Sequence, residues 1–237
     1  MAEGRPAARI VMPVYDQVDM LDVAGPYELF AWANIEVDLV AENRGTYAFR
    51  KGFPFTVARE FDHARGPYDA LWVPGGDPGM LNAILADRQG PYLSFLRRMA
   101  GEARYVASVC EGAILLAGAG LLDGYNATTH WAFLPCFGKY FPEVKVASGH
   151  PRFCLDRNRL TGGGISSGLD EALMLIQLLL GTEAAQQVQL STQYYPDPPV
   201  GGAIPTTDHC PLDDYPDPPT APAPARGMKP AGVRTGR

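Results

Sequence analysis

The chain is 237 residues long, 46% hydrophobic and 19% charged, a balance that supports one large folded domain and excludes a disordered or fibrous polypeptide. Its net charge of −6 offers no basic face to nucleic acid or to an anionic membrane. No apolar run nears the roughly 20 residues needed to cross a bilayer; the longest candidate, residues 172–180, is too short. The first eight residues hold no apolar stretch of a secretory signal. Cys110, Cys136, Cys154 and Cys210 are far apart, with no CxxC pair and no zinc spacing. They read as reduced thiols of a cytoplasmic protein, without a disulfide framework. His150 and His209 have no ligand-like neighbours, so no metal site is expected.

Short β-branched runs alternate with helical patterns. Residues 9–14 (RIVMPV) predict a first strand. A turn over 21–26 leads to a helix over 27–33, with Pro26 suited to its first turn. Residues 35–41 (IEVDLVA) and 70–73 (ALWV) predict strands, the second ending in a Gly-rich turn at 74–76. Leu93, Leu96 and Met99 set a helix over 91–103. Residues 104–109 (RYVASV) predict a strand running straight into a helix over 111–119, closed by Gly120 and Gly124. A short strand at 127–129 feeds a helix over 131–137. Strands follow at 144–147, 153–155 and 160–161, the last two paired through a turn at 156–159. Residues 169–180 are apolar nearly all round after an acidic first turn, which predicts a core helix. A last helix covers 184–193.

Such alternation implies an α/β fold: a doubly wound, mostly parallel sheet sandwiched by helices, of flavodoxin-like type. Beyond residue 194 the composition changes, since half of the 22 prolines lie there. The domain is therefore placed at residues 1–205. Residues 206–237 read as a Pro-rich, disordered tail, poorest in apolar mass from 213 onward.

Ligands of open α/β sheets sit beyond the carboxyl ends of the strands, and three turns there carry chemistry. At 107–113 (ASVCEGA) Cys110 lies where a strand turns sharply into a helix, the geometry of a nucleophile elbow. Helix-terminal amides would favour its thiolate; the plain alternative is a small buried hydrophobe. At 71–76 (LWVPGG) Gly75 and Gly76 let backbone amides approach a ligand, and with the Glu111 amide they would form an oxyanion hole. At 20–26 (MLDVAGP) Asp22 is either an N-terminal cap or a buried acid facing Cys110. Glu111 either stabilises its helix or shares a proton with the sulfur. His130, in ATTHWAF, either assists the chemistry or holds its loop. The run 161–164 (TGGG) lacks both phosphate-loop spacings and reads as packing or site wall.

Taken together these turns resemble the ThiJ/PfpI superfamily over about residues 9–205. The segments LDVAGPYELF, VPGG, RYVASVC, AGLLDGYNATTHWAF, RLTGGGISSGLDEAL and VQLSTQYYPDPP are similar to the bacterial isonitrile hydratases within it. The resemblance implies a cofactor-free homodimer with its active sites near the subunit interface, adding water to a small-molecule isonitrile. Cys110 would form a thioimidate, Asp22 would move protons, and Gly76 and Glu111 amides would line the pocket. One departure stands out: the hydratases carry Thr after the nucleophile, and this chain has Glu111. The proteases and amidases of the superfamily carry His there. The resemblance also admits a deglycase or glyoxalase branch assisted by His130, and a ligand-sensing module like those of transcription regulators.

Overall fold

A computed structural model describes residues 6–212. The elements run β1 (Ala8–Pro13), α1 (Met20–Trp32), β2 (Ile35–Ala41), β3 (Gly45–Ala48), β4 (Pro54–Val57), β5 (Arg59–Glu60), β6 (Ala70–Val73), α2 (Pro78–Ala86), α3 (Pro91–Glu102) and β7 (Tyr105–Ser108). They continue through α4 (Gly112–Gly118), β8 (Asn126–Ala127), α5 (Leu134–Tyr140), β9 (Lys145–Val146), β10 (Phe153–Asp156), β11 (Arg159–Gly162), α6 (Ser167–Leu180) and α7 (Thr182–Ser191). Seven strands form one sheet in the order β10-β11-β7-β6-β1-β2-β5, parallel throughout except for the β10–β11 hairpin at one edge.

The three central strands are mostly apolar, Arg9 and Ser108 excepted, because helices cover both faces of a parallel sheet. Ile10, Val11, Met12, Leu71, Trp72, Val73, Val106 and Ala107 are all fully buried. Trp72 stacks edge-on against Phe30 of α1 at 5.4 Å between ring centres. The parallel direction of β1, β6 and β7 brings their carboxyl ends to one side, where the three expected turns meet.

Several expectations need correction. The helix containing Pro26 begins at Met20, so the expected turn over 21–26 is already helical. Pro26 has no N–H to give to the carbonyl four residues back, and that carbonyl, on Asp22, instead accepts Trp72 Nε1–H at 3.1 Å. The proline is thus tolerated because tertiary packing supplies the missing donor. Helix α2 and the hairpin β3–β4 were not anticipated; α2 is capped by Asp77, whose carboxylate accepts the Gly79 amide at 2.9 Å, with Pro78 in its first turn. The cysteines are not all reduced. Cys136 of α5 and Cys210 form a disulfide across 74 residues of sequence, a pairing that spacing along the chain does not reveal. It fixes a segment that straddles the expected boundary after Pro205: Cys210 and Leu212 are buried, and Tyr140 Oη donates to the Leu212 carbonyl at 2.8 Å. The expected disordered stretch from 213 to 237 lies outside the described residues. No helix among the described residues is long and apolar enough to cross a membrane.

Candidate active site

Cys110 follows the end of β7 with φ at +54°, a left-handed conformation that residues with a β-carbon avoid and that marks strained functional turns. Backbone contacts hold it there. Its amide donates to Gly163 O at 2.8 Å, and the Thr129 hydroxyl donates to its carbonyl at 2.8 Å. A Cβ on Gly112 would run into the Val73 carbonyl, so only glycine lets α4 start so close to β6. The arrangement agrees with the nucleophile elbow expected from the sequence.

Three carboxyl groups surround the sulfur. Asp19 is the N-cap residue of α1, Asp22 lies in its first turn, and Glu111 precedes α4. Donor atoms of Asp19, Asp22, Cys110 and Glu111 all lie within 4.8 Å of one another, and all four residues are buried. Among the described residues these are the donors close enough to share a cation. Asp22 Oδ2 accepts the Gly75 amide at 2.9 Å, while its Oδ1 has no partner. Glu111 hydrogen-bonds the sulfur, which also receives the Ile165 amide.

Electrostatics correct the expected thiolate. Burial, the Glu111 and Asp22 charges and the Glu111 hydrogen bond push the Cys110 thiol well above its usual range, and the Ile165 amide pulls the other way. The two-turn helix behind it does not outweigh desolvation among acids. The resting form is therefore the thiol. Burial likewise raises the Asp22 carboxyl well above the usual carboxylate range, helped by Glu111 and Asp19. Glu111 is pushed up to about 7 by burial, the sulfur hydrogen bond acting the other way. Asp19 is raised by burial and partly restored by Arg50, whose guanidinium stands 3.8 Å away.

The other expected site residues divide. The Gly75 amide is taken by Asp22, so it does not serve the oxyanion hole; a Cβ there would overlap the Glu111 carboxyl and come within 2.9 Å of Cys110 Cβ. Gly76 gives the same kind of room, its Cβ position lying 2.7 Å from Gln17 O and 3.0 Å from Tyr15 Oη. His130 caps the short 3-10 turn after it, its Nδ1 accepting the Ala132 amide at 3.3 Å. Burial lowers its pKa, which favours a neutral ring packed on Gly164. The sequence reading missed Asp19, Arg50 and Glu171. Asp19 was legible as a second acid three residues before Asp22. Arg50 arrives on the unforeseen β3–β4 hairpin. Glu171, read as part of an acidic first turn, is fully buried with both oxygens unpartnered, and burial followed by Asp22 raises its pKa well above normal.

Residues 8–177 match the DJ-1/PfpI family. The chain belongs to that family. It is 37% identical over 202 residues to an isonitrile hydratase of Pseudomonas putida, covering 85% of both chains. It is 32% identical over 161 residues to the HTH-type transcriptional regulator GbdR of Pseudomonas aeruginosa, spanning 68% of this chain but 40% of that one. Its fold is that of a ThiJ/PfpI family protein from Pseudomonas syringae, with a TM-score of 0.74 and 31% identity over 81% of this chain and 77% of that one.

Proposed function

We propose that this chain is an isonitrile hydratase, converting R–N≡C and water into an N-substituted formamide without a cofactor. The observation that carries the reading is the Cys110 thiol at positive φ, bonded to Glu111 and ringed by Asp22 and Asp19. The similarity to the Pseudomonas putida isonitrile hydratase supports the substrate class.

The chemistry follows from that arrangement. Glu111, raised to about 7, takes the thiol proton as the sulfur attacks the terminal carbon. Protonated Asp22 delivers a proton to that carbon, giving the thioimidate R–N=CH–S–Cys110. Asp22, now a carboxylate, deprotonates the water that adds to the same carbon. The hydroxyl proton of the adduct passes to nitrogen as collapse forms the carbonyl and expels sulfur; the sulfur recovers its proton from Glu111, and R–NH–CHO is released. The atoms of one water enter the product and the enzyme is regenerated. The exposed face of α1, with Met20, Leu21, Tyr27 and Trp32, fits the homodimer that such an enzyme would form beside Asp22.

The test is turnover of an alkyl isonitrile with formamide detected by mass spectrometry. Cys110→Ala is expected to lose at least a thousandfold in rate and to form no covalent adduct. Asp22→Asn is expected to be similarly inactive, and Glu111→Thr, which removes the group that takes the thiol proton, to lose about a hundredfold in rate together with the pH dependence near 7. Undiminished formamide from Cys110→Ala would end the covalent mechanism. A second reading, a ligand-sensing module, draws on the fully buried sulfur and the regulator relatives. It predicts neither formamide from an isonitrile nor lactate from methylglyoxal; lactate alone would instead mark a glyoxalase.

A further inference from the structure

After α7 the chain leaves regular structure and is fastened at two places. Tyr194 Oη donates to Asp170 Oδ1 of α6 at 3.2 Å. Sixteen residues later the Cys136–Cys210 disulfide and buried Leu212 fix it to α5. Between those anchors nearly every residue is exposed, so the segment has no core of its own to hold it in place. Its course matters because Ile204 closes one side of a cleft of about 50 Å³.

The inner side of that cleft is the elbow's own support. Thr129 and Gly163, which bond the Cys110 carbonyl and amide, both line it, and so does Ser167, whose buried hydroxyl has no partner. Trp131 and Ile204 supply the apolar outer side. A water needs about 10–15 Å³ of such space, so the cleft admits a substituent of only a few heavy atoms. Ile204 is six residues from the disulfide, within roughly 20 Å of extended chain; freeing Cys210 would let it swing clear of the cleft.

We propose that the disulfide-held segment around Ile204 is the specificity wall of the site, restricting it to isonitriles with compact apolar substituents, and that opening the Cys136–Cys210 bond admits bulkier ones. This rests on the hydratase reading for its substrate. Ile204 and Trp131 would set the size limit by packing on the R group, a contact in which each excluded methylene changes selectivity measurably.

The experiment compares kcat/KM for methyl and cyclohexyl isonitrile in the full chain, in Ile204→Ala, in Ile204→Trp and in the double variant Cys136→Ser/Cys210→Ser. The cyclohexyl-to-methyl ratio is expected to rise about tenfold in Ile204→Ala and in the double variant, and to fall in Ile204→Trp. Should the double variant misfold, the two Ile204 variants decide. A ratio unchanged within twofold across both Ile204 variants, with turnover intact, overturns the wall and leaves the hydratase standing. In parallel, alkylation of Cys110 by iodoacetamide and by N-cyclohexylmaleimide is followed by mass spectrometry in a Cys154→Ser background. If no isonitrile is turned over, the hydratase reading falls and these two alkylation rates judge the wall alone. The same tenfold shift in their ratio supports it, and an unchanged ratio overturns it.

Discussion

The sheet centre and the acid cluster at its carboxyl edge are buried to the same degree and built on opposite chemistry. Leu71, Trp72 and Val106 have no exposed surface and no polar atom left unanswered, since Trp72 Nε1 reaches the Asp22 carbonyl. Asp22, Glu111 and Glu171 are almost as completely enclosed, yet each keeps at least one carboxyl oxygen without a partner. Apolar burial stabilises by about 25 cal/mol per Å², whereas an unpartnered buried polar group costs about 1–3 kcal/mol. The core therefore holds the cluster together against its own preference to be solvated. A folding protein gathers such groups only where another requirement, here proton handling beside a thiol, outweighs stability.

The difference can be broken from the core side first. Leu71→Ala leaves a cavity among fully enclosed neighbours and is expected to lower unfolding free energy by about 2–5 kcal/mol, read from urea denaturation.

From the cluster side the effect depends on pH. Glu111 has its ordinary value of 4.5 raised to about 7 in the fold, so the folded chain holds this proton more tightly than the unfolded one. The stability it confers is full below about pH 4.5 and is lost as pH climbs to about 7, amounting to about 3 kcal/mol. Glu111→Gln is expected to flatten the fall in urea midpoint between pH 5 and pH 8. An equally steep fall in that variant would assign the titration to Asp22 or Glu171.

The smallest effect sharpens the boundary between the two regions. Trp72→Phe retains most of the ring but removes the donor to the Asp22 carbonyl, at a cost of about 1–3 kcal/mol because the acceptor stays buried. Thermal unfolding measures that cost. An unchanged melting temperature would mean that the carbonyl opposite Pro26 finds another donor.

The parallel strands were the most legible part of the chain. Runs such as IEVDLVA and ALWV are strands over the very residues expected: ALWV is continuously apolar, as a central strand of a covered sheet must be, and IEVDLVA sets Ile35, Val37, Leu39 and Val40 around two acids. Helix α1 was misjudged at Pro26, where a local rule was overridden by a tryptophan 46 residues away. Helix α2 carried a readable signal in Asp77-Pro78, a cap followed by a first-turn proline. The β3–β4 hairpin has little hydrophobic alternation and a half-exposed surface, so period-based reading passes over it, and with it Arg50. In the site, Cys110, Asp22 and Glu111 were legible because each lies at a strand-to-helix turn; the protonation of the thiol was not, since it depends on what surrounds the sulfur in three dimensions.

What the sequence determined alone was the order of most strands and helices and the residue types at each turn, both of which follow from local periodicity and backbone preference. Tertiary structure decided the rest: that Asp19, Asp22 and Glu111 converge on one sulfur, that Glu171 is enclosed, and that Cys136 meets Cys210. Proton affinity and disulfide pairing depend on distances between residues far apart in the chain, and those distances exist only once the sheet has closed around its core.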